Sequence, residues 1–167
     1  SGGNDNRLVL WDSRRFDMPL AVFSQHKAAV KAIAWSPKTH GALVSGGGSA
    51  DRPIRFWDAQ TLSPTGEIDT GSQVCNLHWS RNVDEIVSTH GFSQNQIIVW
   101  DSPTRTPIET LKGHTSRVLH LACSPDGRTI VSGAGDQTLR FWAVFPPVRD
   151  TIVSANFIPP GCMMDLR

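Results

Sequence analysis

The sequence predicts an all-β fold, a β-propeller, and three observations carry this prediction. The first is a motif of Ser, a Gly-rich turn, a short β-like strand and Trp that occurs four times. The four copies end at Trp11, Trp57, Trp100 and Trp142, so successive copies are 46, 43 and 42 residues apart. The second is a strand-like series between the tryptophans, "VKAIAWSP", "VCNLHWSR" and "VLHLACSP", at steps of 44 residues. The third is the lack of helical periodicity. A period of about 40–45 residues with Trp-Asp at strand ends is typical of WD-repeat blades.

Each repeat is interpreted as four strands. In the last repeat the first three are predicted at residues 117–124, 129–134 and 138–144, with the tight-turn signal "PDG" between the first two. A fourth, outer strand follows the Trp of each earlier repeat, at residues 20–24, 65–69 and 108–112. The chain therefore holds half a blade followed by about three blades.

Three and a half blades cannot close a ring, and each blade needs neighbours to bury its faces. We therefore expect residues 1–144 to be the C-terminal part of a larger propeller. Residues 145–167 contain two Pro-Pro pairs and form a predicted Pro-rich tail that ends in Leu166 and Arg167. A frayed terminus and a docking peptide are the two interpretations of this tail.

Composition narrows the class of protein. The chain has 167 residues, 39% of them hydrophobic, and a net charge of +1. Such a balance is typical of a soluble globular protein and argues against bulk electrostatic binding to nucleic acid or membranes. No run of about 18 apolar residues indicates a transmembrane helix, and residue 1 starts no signal peptide. Three scattered cysteines favour reduced thiols in the nucleus or cytoplasm, with no disulfide framework, zinc site or cofactor.

Two Ser-His-Asp sets resemble catalytic triads. Each recurs with a Trp: His26, Ser45, Asp51 and Trp57, then His114, Ser132, Asp136 and Trp142. A hydrolase is one interpretation, but repetition favours a structural network in which Asp accepts from His, His is linked to Ser, and Ser reaches the indole N–H. The third repeat has Gln94 in place of Asp and Thr70 in place of His, so its network should be absent or different.

Positions that differ between repeats are the candidates for binding. The residue before the first-strand Val is Ala29, Gln73 and Arg117 in successive blades, and the turns before the Trp strands carry Asn4, Ser49 and Gln137. These side chains should converge at the mouth of the axial channel, where they suit an extended polar peptide. Plain solvation of the same groups is an equally good interpretation at this point.

Several motifs resemble one family strongly. "TGSQVCNL", "THGFSQNQ" and "GAGDQTLRFWAVF" are more specific than generic WD wording, and together with the rest of residues 1 to about 145 they resemble the Fizzy and Fizzy-related activators of the anaphase-promoting complex. The sequences of these motifs resemble the Fizzy-related branch more than Fizzy itself. The resemblance implies a seven-bladed propeller that binds degrons of cell-cycle proteins, recruits them to this ubiquitin ligase and performs no chemistry itself.

The resemblance also implies residue roles. The positions that match the KEN-box pocket are Asn4, Ser49, Gln73 and Arg117. Gln137 matches an acidic residue that pairs with the destruction-box Arg. It keeps an acceptor without the charge, which implies either a weaker site or one in which Asp136 supplies the charge.

Partners and location follow from the same resemblance. The family's Ile-Arg end docks on a TPR scaffold subunit, and Leu166-Arg167 resembles it. The expected partners are that complex and degron-bearing proteins, with no nucleic acid, membrane or small-molecule substrate, in the nucleus and cytoplasm. The alternative function is a WD-repeat scaffold that has lost degron binding.

Overall fold

A computed structural model describes residues 1–147, and within this range the chain is all-β. Its thirteen strands are β1 Leu8–Leu10, β2 Ala21–Phe23, β3 Val30–Trp35, β4 Ala42–Gly47, β5 Pro53–Asp58, β6 Ser63–Asp69, β7 Val74–Trp79, β8 Glu85–His90, β9 Ile97–Asp101, β10 Pro107–Leu111, β11 Val118–Cys123, β12 Thr129–Ala134 and β13 Leu139–Ala143. The predicted second strand at 129–134 coincides with β12, and the other predicted strands lie within two residues of observed ones. Among these residues no helix is long and apolar enough to cross a membrane.

The strands form four antiparallel sheets in chain order. They are β1-β2, β3-β4-β5-β6, β7-β8-β9-β10 and β11-β12-β13. The two middle sheets are complete four-stranded blades, so the repeat interpretation and the propeller prediction are confirmed. Each inner strand has a register shift directly after its first residue, between Val30 and Ala32 and at the equivalent places in β7 and β11. A bulge strengthens local twist, and here it lies where the candidate binding residues enter the strands.

Apolar cores lie between neighbouring sheets. Val44 and Phe56 of the first complete blade pack with Val74 and Trp79 of the next, and the rings of Phe56 and Trp79 meet edge to face with centroids 6.4 Å apart. A second core joins that blade to β11–β13 through Val87, Val99, Val118 and Ile130. Burying one such side chain stabilises the fold by about 1.5–3 kcal/mol, so the blades are stabilised mainly by each other.

One face of the last sheet has no neighbour among residues 1–147. Leu139 is 71% exposed and Phe141 is 73% exposed, whereas Ile54 and Phe56 at the equivalent positions of β5 are buried. The expectation that a further blade covers this face stays a prediction.

The outer edge of β13 is likewise unpaired within the described range. In the first complete blade, Arg55 on β5 pairs in register with Glu67 on β6, with 3.5 Å between Nε and the carboxylate. Arg140 occupies the equivalent place on β13, and its buried Nε has no hydrogen-bond partner among residues 1–147. Gly113 makes room for this guanidinium, because a Cβ there would lie 2.8 Å from Nη1 of Arg140.

The chain stays packed for a few residues beyond β13. Phe145, the first residue of the predicted tail, is buried in the core with β11 and β12, and its amide donates to the carbonyl of Arg128 at 3.1 Å. The side chain of Asn82 donates to the carbonyl of Pro146 at 2.9 Å. Residues 148–167, and with them Leu166 and Arg167, lie outside the described residues.

Candidate functional site

Buried hydrogen-bond networks link the strands of the first complete blade. His26 Nδ1–H donates to the carboxylate of Asp51, and Ser45 Oγ–H donates to His26 Nε2 at 2.7 Å. Ser45 Oγ also accepts the indole N–H of Trp57 at 2.7 Å. Arg55 Nη1 is a second donor to Asp51, at 3.0 Å, and it carries the positive charge that the neutral ring lacks. Burial lowers the pKa of His26 below its usual range, so the ring is neutral and every polar atom is satisfied.

The last blade repeats this arrangement. His114 contacts Asp136 at 2.9 Å through Nδ1 and Ser132 at 2.8 Å through Nε2, and Trp142 donates to Ser132 at 2.9 Å. The hydroxyl and backbone N–H of Thr138 donate to the other oxygen of Asp136 at 2.7 and 3.0 Å. These bonds hold the pKa of Asp136 far below its usual range.

The middle blade has a different network, as the sequence predicts, but the residue that supplies it was not foreseen. His90, at the end of β8, takes the place of the loop histidine and contacts Ser88 at 2.7 Å and Ser72 at 3.1 Å. Ser88 in turn accepts from the indole of Trp100 at 2.7 Å. Burial lowers the pKa of His90 to about 4. Side-chain size at this strand position could have revealed the exchange. The two repeats with a loop histidine have a small residue there, Gly47 or Ala134, whereas the middle repeat has His90.

These serines are structural groups. Ser45 and Ser132 are fully buried, and each hydroxyl oxygen already accepts an indole N–H. A nucleophile must instead be open to substrate and have an oxyanion site beside it. The geometry therefore fits the structural interpretation of both Ser-His-Asp sets.

Three of the four predicted KEN-pocket residues lie along one rim of the blades. Ser49 donates its hydroxyl to the side-chain oxygen of Gln73 at 3.1 Å. Gly91 lies between Gln73 and Arg117: a Cβ there would be 3.1 Å from Oε1 of Gln73 and 3.6 Å from Cγ of Arg117. Asn4 is exposed in its turn, and no hydrogen bond within residues 1–147 joins it to the other three.

Backbone hydrogen bonds fix this rim. The amide of Gly91 donates to the carbonyl of Gln73, and the amide of Gly135 donates to the carbonyl of Arg117, both at 3.1 Å. In the first complete blade a different bond joins the inner strand to a turn, since the amide of Val30 donates to the carbonyl of Gly3 of the preceding sheet at 3.1 Å. Gln73 and Arg117 are therefore each tied through the backbone to a turn of their own blade, and their side chains start from fixed points.

The rim is cationic. Arg117 is exposed, and among residues 1–147 no carboxylate lies within 4.0 Å of its guanidinium. Cys75 lies in the adjacent strand, where burial raises the pKa of its thiol while Arg117 and Lys31 partly oppose that rise. An unpaired guanidinium beside amide and hydroxyl groups suits a ligand that carries a carboxylate.

The predicted destruction-box pair divides into two environments. Gln137 is exposed, and its backbone adopts the left-handed region with φ 64°. Asp136 is engaged through both carboxylate oxygens, so its geometry favours a structural role over charge supplied at the rim.

The thiols and possible metal ligands form no site in the described range. Cys75 and Cys123 are free thiols, and Cys162 lies outside that range. Within residues 1–147 no three His, Cys, Asp or Glu side chains are grouped so as to hold a metal ion.

Comparison with known proteins places these features in a family. The model of the WD domain, G-beta repeat, matches residues 17–58 and 105–143. Protein FIZZY-RELATED 2 of Arabidopsis thaliana is 66% identical over 146 residues, which are 87% of this chain and 30% of that protein. The anaphase-promoting complex subunit cdh1 of Dictyostelium discoideum is 50% identical over 93% of this chain and 25% of that protein.

A solved structure shares the fold. A chain in the crystal structure of the mitotic checkpoint complex superposes with a TM-score of 0.84 at 42% sequence identity, over 87% of this chain and 45% of that one. The present chain thus spans about a third or less of the length of the two curated relatives, and under half of the structural neighbour.

Proposed function

We propose, because this chain belongs to the Fizzy and Fizzy-related family of WD-repeat proteins, that it is part of a substrate-recognition and activator subunit of the anaphase-promoting complex. Its task is to bind KEN-box and destruction-box degrons of cell-cycle proteins for ubiquitin-dependent proteolysis. The single observation that carries the proposal is the rim in which Ser49, Gln73 and the unpaired Arg117 lie together.

The rim has the chemistry that a Lys-Glu-Asn peptide requires. The hydroxyl of Ser49 donates a hydrogen bond to the side-chain oxygen of Gln73. The amide NH₂ of Gln73 is therefore left to donate to the peptide. Arg117 supplies charge-assisted hydrogen bonds to the Glu carboxylate. Asn4, in its exposed turn, offers a further amide to the degron Asn. The protein positions the peptide and transfers no group itself, and it requires no cofactor or metal.

The proposal includes binding partners and a cellular location. One relative is named as a subunit of the anaphase-promoting complex, and the structural neighbour belongs to the mitotic checkpoint complex. We propose protein partners of both kinds, degron-bearing proteins and the TPR scaffold of the ligase, in the nucleus and cytoplasm. Nucleic acid, membranes and small molecules are not proposed ligands.

The C-terminal dipeptide is proposed to dock on the ligase. Leu166 keeps the apolar volume of the family's Ile, and Arg167 keeps its guanidinium. Deleting both residues should weaken or abolish co-purification with the complex, while KEN-peptide affinity stays unchanged. Unchanged co-purification would refute this docking role.

The test of degron binding is a titration of a fluorescent KEN-box peptide with the longest polypeptide that the gene encodes. The wild type should bind in the micromolar range. Arg117→Ala and Gln73→Ala should each weaken binding by about 10- to 100-fold, as expected for a lost hydrogen bond to a charged or buried group. Lys112→Ala, an exposed cation at the end of an outer strand, is the matched control.

The second candidate function is a WD-repeat scaffold without degron binding. The neutral Gln137, at a position where the family resemblance implies an acidic residue, favours it. No binding of the KEN peptide by a folded wild-type protein would select the scaffold.

A further inference from the structure

A second pocket opens beside the proposed degron rim. It has a volume of about 320 Å³ and is lined by Phe92, Thr115, Ser116, Arg117, Leu119 and Gly135. Arg117 is a member of both the rim and this pocket, so one guanidinium forms their common wall. The pocket is large enough for one bulky side chain and opens to solvent.

Two apolar side chains face this pocket from different blades. Phe92 is 75% exposed, in the turn between β8 and β9, and Leu119 is 47% exposed on β11. The exposure of Phe92 has a different origin from that of Leu139 and Phe141, because Phe92 lies in a turn near the axial rim and not on the open face of the last sheet. An exposed aromatic next to a polar rim is typical of a binding surface.

The turn that carries Phe92 is anchored. The amide of Asn95 donates to the carbonyl of Gly91 at 3.0 Å, and the amide of His90 donates to the carbonyl of Gln96 at 2.9 Å. The side chain of Asn95 donates to the carbonyl of Thr115 at 3.1 Å and ties this turn to the next blade. Phe92 is therefore presented from a fixed backbone, which lowers the entropy cost of binding against it.

We propose that this pocket is an apolar subsite of the degron-binding surface. It takes a bulky aliphatic or aromatic side chain that lies within a few residues of the acidic residue held by Arg117. The inference rests on the proposed function and extends it, because it assigns specificity outside the degron tripeptide to Phe92 and Leu119. Among residues 1–147 no carboxylate pairs with Arg117, so its charge favours an acidic group next to the apolar one, and the hydroxyls of Thr115 and Ser116 can hydrogen-bond the peptide backbone.

The test uses KEN-box peptides that carry Leu or Ala at each position within four residues of the tripeptide. Their affinities for the longest polypeptide that the gene encodes are measured by fluorescence anisotropy. At one or two positions Leu should bind about 10-fold more tightly than Ala. Phe92→Ala should remove this preference and leave the affinity of the all-Ala peptide unchanged. Phe92→Leu should retain much of it, and Leu119→Ala should reduce it.

The control is Ile108→Ala, an exposed apolar residue on the outer strand β10, which should leave every affinity unchanged. If KEN peptides bind but no flanking position prefers Leu, or Phe92→Ala leaves the preference intact, the subsite is refuted and the proposed function stands. If no KEN peptide binds the folded protein, both are refuted.

Discussion

Acid should destabilise the middle blade through His90. The ring is neutral because burial lowers its pKa to about 4, whereas an unfolded chain has the ordinary value of 6.5. The unfolded state therefore binds more protons between these values, and the free energy of unfolding falls as the pH falls. The contribution is fully present above pH 6.5 and fully lost below about pH 4. At about 1.4 kcal/mol per pH unit, the total loss is about 3 kcal/mol.

The assay is urea unfolding of the chain at pH 7.0 and at pH 4.5, followed by tryptophan fluorescence. The wild type should lose about 2.5 kcal/mol through His90 between these two pH values. His90→Gln should be less stable than the wild type at pH 7.0, because the contacts to Ser88 and Ser72 are altered. Its loss on acidification should be smaller by that same amount.

The difference between the wild type and His90→Gln reports the titration of His90 alone, because the other histidines are present in both proteins. His120→Gln, which makes the same replacement at an exposed histidine, is the matched control. Equal losses on acidification in the wild type and His90→Gln would refute the assignment of a buried, neutral ring.

Three other contacts give independent predictions. Ser45→Ala leaves the indole N–H of Trp57 and an imidazole nitrogen unsatisfied, so urea unfolding should show a loss of about 2–5 kcal/mol. Gly66→Ala would place a Cβ 2.0 Å from Nη1 of Arg105, at φ +150°, and should cost about 1–3 kcal/mol. Part of this cost should disappear in an Arg105→Ala background, and full additivity would contradict the clash. Asn82→Ala removes a donor to three carbonyls, and hydrogen exchange should quicken at the amides of Val144 and Phe145 while β3–β6 stays unchanged.

Periodic features were predictable from the sequence. The repeated Trp and the turn residues locate the blades. Strand positions can then be predicted, because each turn limits where a strand can start. The networks of Trp57 and Trp142 were predictable for the same reason, since Asp recurs six residues before the Trp and His and Ser precede it in the same order. The fold class therefore follows from local chemistry repeated at one period.

Contacts that occur once gave no such signal. His90 replaces a loop histidine from a strand position, and only the small residues at equivalent positions hint at the exchange. Arg105 lies over the ring of Phe56 at 5.0 Å from a neighbouring blade, more than forty residues along the chain. Phe92 belongs to a turn whose composition differs between repeats, so its position beside Arg117 depends on how two blades pack.

The outer edge of β13 influences which strand can pair with it to complete the last blade. A row of open backbone groups accepts almost any extended segment, including one from a second copy of the same protein. Arg140 biases this choice, because its buried Nε has no partner among residues 1–147 and a carboxylate on the pairing strand would supply one, as Glu67 does for Arg55. A strand with no acceptor opposite this nitrogen would leave it unpaired at a free-energy cost. One arginine thus favours an acidic strand at this edge.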